Sequence, residues 1–415
     1  MRFRTLVSDY LQITLAPPLP YTSMTRRSLS FILLSVIALA FVPPARGQDG
    51  AVLHCQPGPW GRIDYHYVYL AAPDNILDEY PLPSPQTRWC FALHTPEWVK
   101  TFLATTGLDA PTITRLVTDV RSQPDEEGVI TLFPTEPEVL GLAPGGRDIL
   151  YHELAKYEVN PYFHDPICIP DGKVDDWLRG GGIPANVVEI IRKLAYHSGE
   201  GWYFSDLRLI LKYAQSDLEA RHWAKTLTRV RAVVANLHVD DTDNLPALRK
   251  YWSADFHRTD ALPMLDAAAA LDGGSSLDLT HLFPPLPRRL VYSYTSPDIE
   301  RTGQTPNCHW TSLNFFNYTR QNILLDLKLA TSAVLDNYDK VSAPYAFGDV
   351  LFFLTETGDA YHSCVYVADN LVFTKNGENE MMPWLLTRLE DVKQLYGREA
   401  NYKIQAFRRK WPEGN

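Results

Sequence analysis

The run Gly348-Asp349-Val350-Leu351-Phe352-Phe353-Leu354 is followed by Tyr361-His362-Ser363-Cys364-Val365-Tyr366-Val367-Ala368 and, across Asp369-Asn370, by Leu371-Val372-Phe373-Thr374-Lys375. β-Branched and aromatic residues suit a pleated surface, and Gly-Asp and Asp-Asn pairs suit the tight turns between strands. The spacing therefore predicts strands at 350–354, 361–368 and 371–375, joined in succession. Working outward, 308–319 and 322–338 read as helices, 289–294 as a short strand, 383–396 as a helix and 402–408 as a last strand. Helices followed by an antiparallel meander define an α+β class.

Upstream, from 48 to about 290, the chain reads as helical with long Pro-rich connections. Thr95, Pro96 and Gly107 supply a hydroxyl cap, a first-turn proline and a terminating glycine. Further helices are expected at 145–157, 185–197, 205–214, 216–236 and 259–271, with apolar residues recurring at three and four positions, as in Val187, Val188, Ile190, Ile191 and Leu194. Gly180-Gly181-Gly182 reads as a helix break, because no strand precedes it and no Lys-Ser/Thr follows. A linker is expected from Gly273-Gly274-Ser275-Ser276 through Phe283-Pro284-Pro285-Leu286-Pro287. The organisation expected is thus 1–47, 48–287 and 288–415.

Residues 1–47 carry the layout of a secretory signal. Arg26 and Arg27 precede an uncharged run from Ser28 to Val42, then Pro43, Pro44 and Ala45-Arg46-Gly47. Met24 reads as the start, and the apolar run is shorter than the roughly 20 residues a spanning helix needs. The expected product is secreted or periplasmic, without stable membrane insertion. The whole chain has 39 basic and 49 acidic residues, a formal charge of −10, which argues against nucleic acid as a partner. Five cysteines cannot all pair internally, and Cys55 and Cys90 are the pair considered for a bridge. His238 to Asn244 lacks the central Gly and terminal Glu of a calcium loop. Asn317-Tyr318-Thr319 fits a glycosylation acceptor but falls within the expected helix 308–319.

Chemistry centres on Cys308 and His362. Asn307 is a plausible cap that places Cys308 in the first turn, where partial positive charge favours a thiolate. A thiolate needs a base, and His362 sits in a strand just after a glycine-bearing turn. A third polar group should orient the imidazole, and Thr374 and Asn376 share one face of the next strand.

Asn307-Cys308-His309-Trp310-Thr311-Ser312-Leu313 resembles the Asp-Cys-Ser-Gly-Leu opening of the catalytic helix in NlpC/P60 cysteine peptidases. Phe347 to Phe353 is similar to that family's Pro-Gly-Asp-Leu-Val-Phe-Phe strand, and His362 to Asn370 to its His-Val-Gly-Ile-Tyr-Ile-Gly-Asn-Gly stretch. The resemblance covers roughly 290–410. It implies a papain-like domain with a helix packed on an antiparallel sheet, a Cys308 nucleophile, a His362 base and hydrolysis of a peptide or amide bond, in the family often in cell-wall peptides. The family's third polar residue would fall at Thr374 or nearby. Tyr294 is the nearest candidate for the tyrosine that shapes the family's substrate site, and Trp310 would stand beside the nucleophile and narrow the cleft. No metal or organic cofactor is required. The rivals are a catalytically inactive cell-envelope binding module and an acyltransferase on the same fold.

Overall fold

Strand alternation along 350–375 sorts the side chains into two apolar sets. Val350, Phe352, Val365, Val367, Leu371 and Phe373 join one core, while Leu351, Phe353, Cys364, Tyr366 and Val372 join another. Residues of a strand alternate between faces, so the sheet they form is covered on both sides. The computed structural model describes residues 51–240, 243–296, 305–398 and 401–412; the expected signal segment 1–47, with Met24, lies outside them. The sheet is six-stranded and antiparallel, in the order Tyr338–Val341, Lys403–Arg409, Val350–Leu354, Ala360–Ala368, Leu371–Lys375, Trp384–Arg388. The three central strands lie where the alternating pattern predicts them.

The sheet is anchored at Gly348-Asp349. Gly348 adopts φ +91, and a Cβ there would fall 2.1 Å from the Phe316 ring, so only glycine fits. Asp349 is 1% exposed and accepts two bonds of 2.7 Å from the Arg408 guanidinium. That fork fixes the start of one strand to the neighbouring Lys403–Arg409.

The rest of the chain is mixed and not simply helical. A second antiparallel sheet runs Leu53–His54, Arg62–Leu70, Val230–Val239, Ser275–Asp278. Smaller sheets pair Trp89–Phe91 with Ile130–Leu132, and Ile167–Cys168 and Tyr196–Ser198 with Gly201–Phe204. The expected helix 216–236 stops early: Ser216 caps Asp217–Leu227, and the β-branched run Val230–Val239 then becomes the longest strand described. Its period-two burial overrides a helical reading of the same residues. The expected helix 383–396 likewise splits into the strand Trp384–Arg388 and the helix Leu389–Tyr396. The expected strand 289–294 is instead the end of the helix Pro285–Leu290 and a turn in which Tyr292 has φ +60.

From Asp49 onward the chain is one compact unit. The stretch read as a linker contributes Leu279, Leu282, Phe283 and Leu286 to the same core as Val233, Trp310 and Phe373. Proline there starts helices and does not space domains. A separate core gathers Trp89, Trp177, Trp223 and the helices between them. Among the described residues no helix is long and apolar enough to cross a membrane.

Candidate active site

The helix that carries Cys308 is Cys308–Leu313, half the length expected. Asn307 caps it, its Oδ1 accepting from the Trp310 N–H at 2.9 Å. With six residues, its dipole supplies only the local effect of the first-turn N–H groups. Asn317 therefore lies beyond the helix. Its amide is committed, donating to Leu313 O and Asn314 Oδ1 while its Oδ1 accepts from Arg409.

The helix packs across the strands Ala360–Ala368 and Leu371–Lys375, and Ser363 is the strand residue beneath it. The Ser363 hydroxyl donates to Ser312 Oγ at 3.1 Å and lies 3.0 Å from His309 Nδ1. His362, one residue earlier, faces the other side, where its ring stacks on Tyr396 at 4.0 Å and meets Phe353 edge-on. The registered pairing between the two strands runs from Val365–Phe373 to Ala368–Leu371. At Ser363, a side chain takes over the ladder's role: the Thr374 hydroxyl donates to Ser363 O at 3.3 Å.

The Cys308 thiol comes up against this place. The backbone N–H groups of Ser363, His309 and Cys308 itself favour its thiolate, and a charge on it would be felt by Cys364 and Tyr396, both on the His362 side. Thr374 Oγ1 lies 3.3 Å from His362 Nε2. The same hydroxyl lies 3.4 Å from Lys375 O; with its proton on either carbonyl it accepts from Nε2–H, the tautomer that leaves Nδ1 the free lone pair a base needs. Nδ1 is buried and without a hydrogen-bond partner. Among the described residues, no hydrogen bond joins it to the Cys308 sulfur.

Electrostatics keep both groups neutral. Burial pushes the Cys308 thiol up to about 11, against the opposing pull of those N–H groups and of Lys375. Burial also drives the His362 imidazole well below its ordinary value, aided by His309. Desolvation disfavours the charged form of each. Cys308 is 5% and His362 0% exposed. A cavity of about 300 Å³ lies elsewhere, against His257, Phe316, Tyr318 and Trp411.

The remaining residues expected at the site divide. Thr374 reaches His362, whereas Asn376 lies past the strand end, beside Gly377 at φ +78, with its Oδ1 buried and unpartnered. Trp310 does not border a cleft: it is 1% exposed and packs in the core against Trp384. Tyr294 follows Ser293, whose carbonyl accepts from the Trp384 N–H, and its own Oη is buried without a partner. Residues that sequence reasoning passed over are Ser363, Lys375 and Tyr396. Lys375, 0% exposed at the end of an apolar strand, was the visible anomaly; its ammonium donates to Gly377 O and Asn379 O.

The other constellations resolve as structure. Asp240 and Asp243 share the Arg62 guanidinium, and His54 and His238 flank the Asp64 carboxylate. All five cysteines are free, and Cys90, in a strand with Asn160 bonding its backbone, is not bridged to Cys55. No family model, curated protein or solved structure matches the chain.

Proposed function

We propose that this chain is an exported cysteine hydrolase of NlpC/P60-like design, cleaving amide bonds of peptides such as those of a cell envelope. The observation that carries the reading is His362: its Nε2 lies 3.3 Å from the Thr374 hydroxyl while its Nδ1 stands buried and unpartnered. A buried ring nitrogen with no partner loses a hydrogen bond's worth of stability, and a base awaiting a proton accounts for it. In the mechanism, Nδ1 takes the Cys308 proton and the sulfur attacks the amide carbonyl. N–H groups at the helix start receive the oxyanion, and His362 returns the proton to the leaving amine. Water then releases the acyl group. The signal-like composition of residues 1–47 supports export.

In the described conformation the pair is closed and neutral, so turnover requires the thiol to become accessible. That closure favours the second reading, a cell-envelope binding module on the same scaffold without turnover. The test is labelling of the full chain at pH 7 with iodoacetamide, resolved by peptide mass spectrometry, in wild type and His362→Ala. Labelling of Cys308 that exceeds Cys364 and drops at least tenfold in the variant supports the hydrolase. Labelling indifferent to His362 leaves the binding module.

A further inference from the structure

We infer that Tyr396 is the gating and positioning residue of the Cys308–His362 centre, and that the N-terminal part of the chain holds it shut. This rests on the hydrolase reading of that centre. The Tyr396 ring stacks on His362 at 4.0 Å with an interplanar angle of 22°, so it fixes the imidazole plane and covers that face. It ends the helix Leu389–Tyr396, whose first turn is tied to Asn370, Thr387 and Arg388 and whose later part is tied to residues before 240. Arg231 bridges Asp171 and Asp391, at 2.6 and 2.5 Å. Gln394 exchanges two bonds with Asp171, accepting from its backbone N–H at 3.0 Å and donating to its carboxylate at 3.1 Å. Tyr203 Oη donates to Gln394 O, the Glu200 N–H donates to Gly397 O, and Arg398 donates to Phe163 O and Tyr151 O.

The approach is close as well as polar. Gly201 lies so near Gln394 O, and Gly199 so near Gly397 O, that a Cβ on either would fall at 2.5 and 2.1 Å. The helix bearing the gate is therefore seated on the Tyr196–Ser198/Gly201–Phe204 hairpin and on the Asp171 turn. Loosening that seat lets Tyr396 lift from His362, whereas Cys308 stays anchored by its own helix on the opposite face. Coupling of this kind needs two arrangements of one element that the seat biases, and the helix Leu389–Tyr396 is that element.

The experiment follows Cys308 alkylation by iodoacetamide at pH 8 in the full chain, with Cys90, 4% exposed in the strand Trp89–Phe91 of the separate core, as the internal reference for general unfolding. Tyr396→Ala and Gln394→Ala should each raise Cys308 labelling at least fivefold with Cys90 unchanged, while Tyr396→Phe, which keeps the stack, matches wild type. Cys308 labelling within twofold of wild type in Tyr396→Ala, or a rise shared equally by Cys90, overturns the gate. Should Tyr396→Ala not fold by circular dichroism, Tyr396→Leu, which removes the stack but keeps apolar bulk, takes its place with the same two outcomes. If only Tyr396→Ala opens the site, the gate stands and the N-terminal hold falls. Adding His362→Ala to the opened variant separates the two ideas: unchanged labelling of an opened Cys308 removes the Cys–His pairing but leaves the gate, whereas a thiol that never opens removes the gate.

Discussion

The pair Arg147–Asp206 sets a measurable demand on the stability of the N-terminal core. Both side chains are buried, at 1% and 0% exposure, and the closest approach of guanidinium to carboxylate is 3.5 Å. Tyr151 Oη donates to both Asp206 oxygens at 2.9 Å, and Arg147 also donates to Val139 O and Leu142 O. Burial outweighs Arg147 and raises the Asp206 carboxyl from 3.8 to about 6. The folded protein thus binds this proton more tightly than the unfolded chain does. The carboxylate lowers stability as pH rises through that window, by ~3 kcal/mol over the full interval. Arg147→Met strands the carboxylate and should destabilise by ~3–5 kcal/mol at pH 7, and by less at pH 5, where Asp206 takes up a proton. Asp206→Asn strands the guanidinium and should cost a similar amount. The double variant, with neither charge, should lose clearly less than the sum. Urea unfolding followed by far-ultraviolet circular dichroism, with all four proteins at pH 5 and 7, measures this. Losses that add to within ~0.5 kcal/mol, or an Arg147→Met loss independent of pH, would refute the reasoning.

Three further outcomes follow from the sheet and its site. In wild type, the alkylation rate at Cys308 should rise with a midpoint near 11 instead of 9.0, making it ~100-fold slower at pH 8 than an unperturbed thiol by the ratio of thiolate fractions; a midpoint below 8.5 rejects the closed resting state. Gly348→Ala puts a methyl against the Phe316 ring at a positive φ and should lower stability by ~2 kcal/mol or more, read as a shift in urea midpoint. Asp349→Asn loses the fork from Arg408 and should cost ~2–3 kcal/mol, while Arg408→Lys, which keeps charge but not the fork, should recover part of that loss on the same assay.

The strands of the meander were legible because turn pairs bracket runs of β-branched and aromatic residues, and helix starts were legible where a cap stands in the sequence, at Thr95 and Asn307. Helix ends were harder. No proline or glycine between Leu313 and Thr319 breaks the helical pattern, yet the helix ends at Asn314, whose side chain donates to Trp310 O and accepts from the Gln321 N–H. Where an element changes type without a proline or glycine, as at Leu227 to Val230, tertiary pairing with Arg62–Leu70 decides, and that partner is distant in sequence.

The site shows the same limit more sharply. Alternation tells which residues share a face, and it groups His362 with Cys364 and Ser363 with Val365 correctly. It names a face only when one side is polar. Here every residue from His362 to Ala368 is buried, because the Cys308 helix covers one side of the sheet and the Tyr396 helix the other. A sheet buried twice erases the contrast that orients it. Sequence therefore placed the cysteine at a helix start, the histidine in a strand and Thr374 on the next one, but not that Ser363 lies under the helix. It could not show Tyr396 either, since the stack that Tyr396 makes on His362 depends on a seat built some 200 residues upstream.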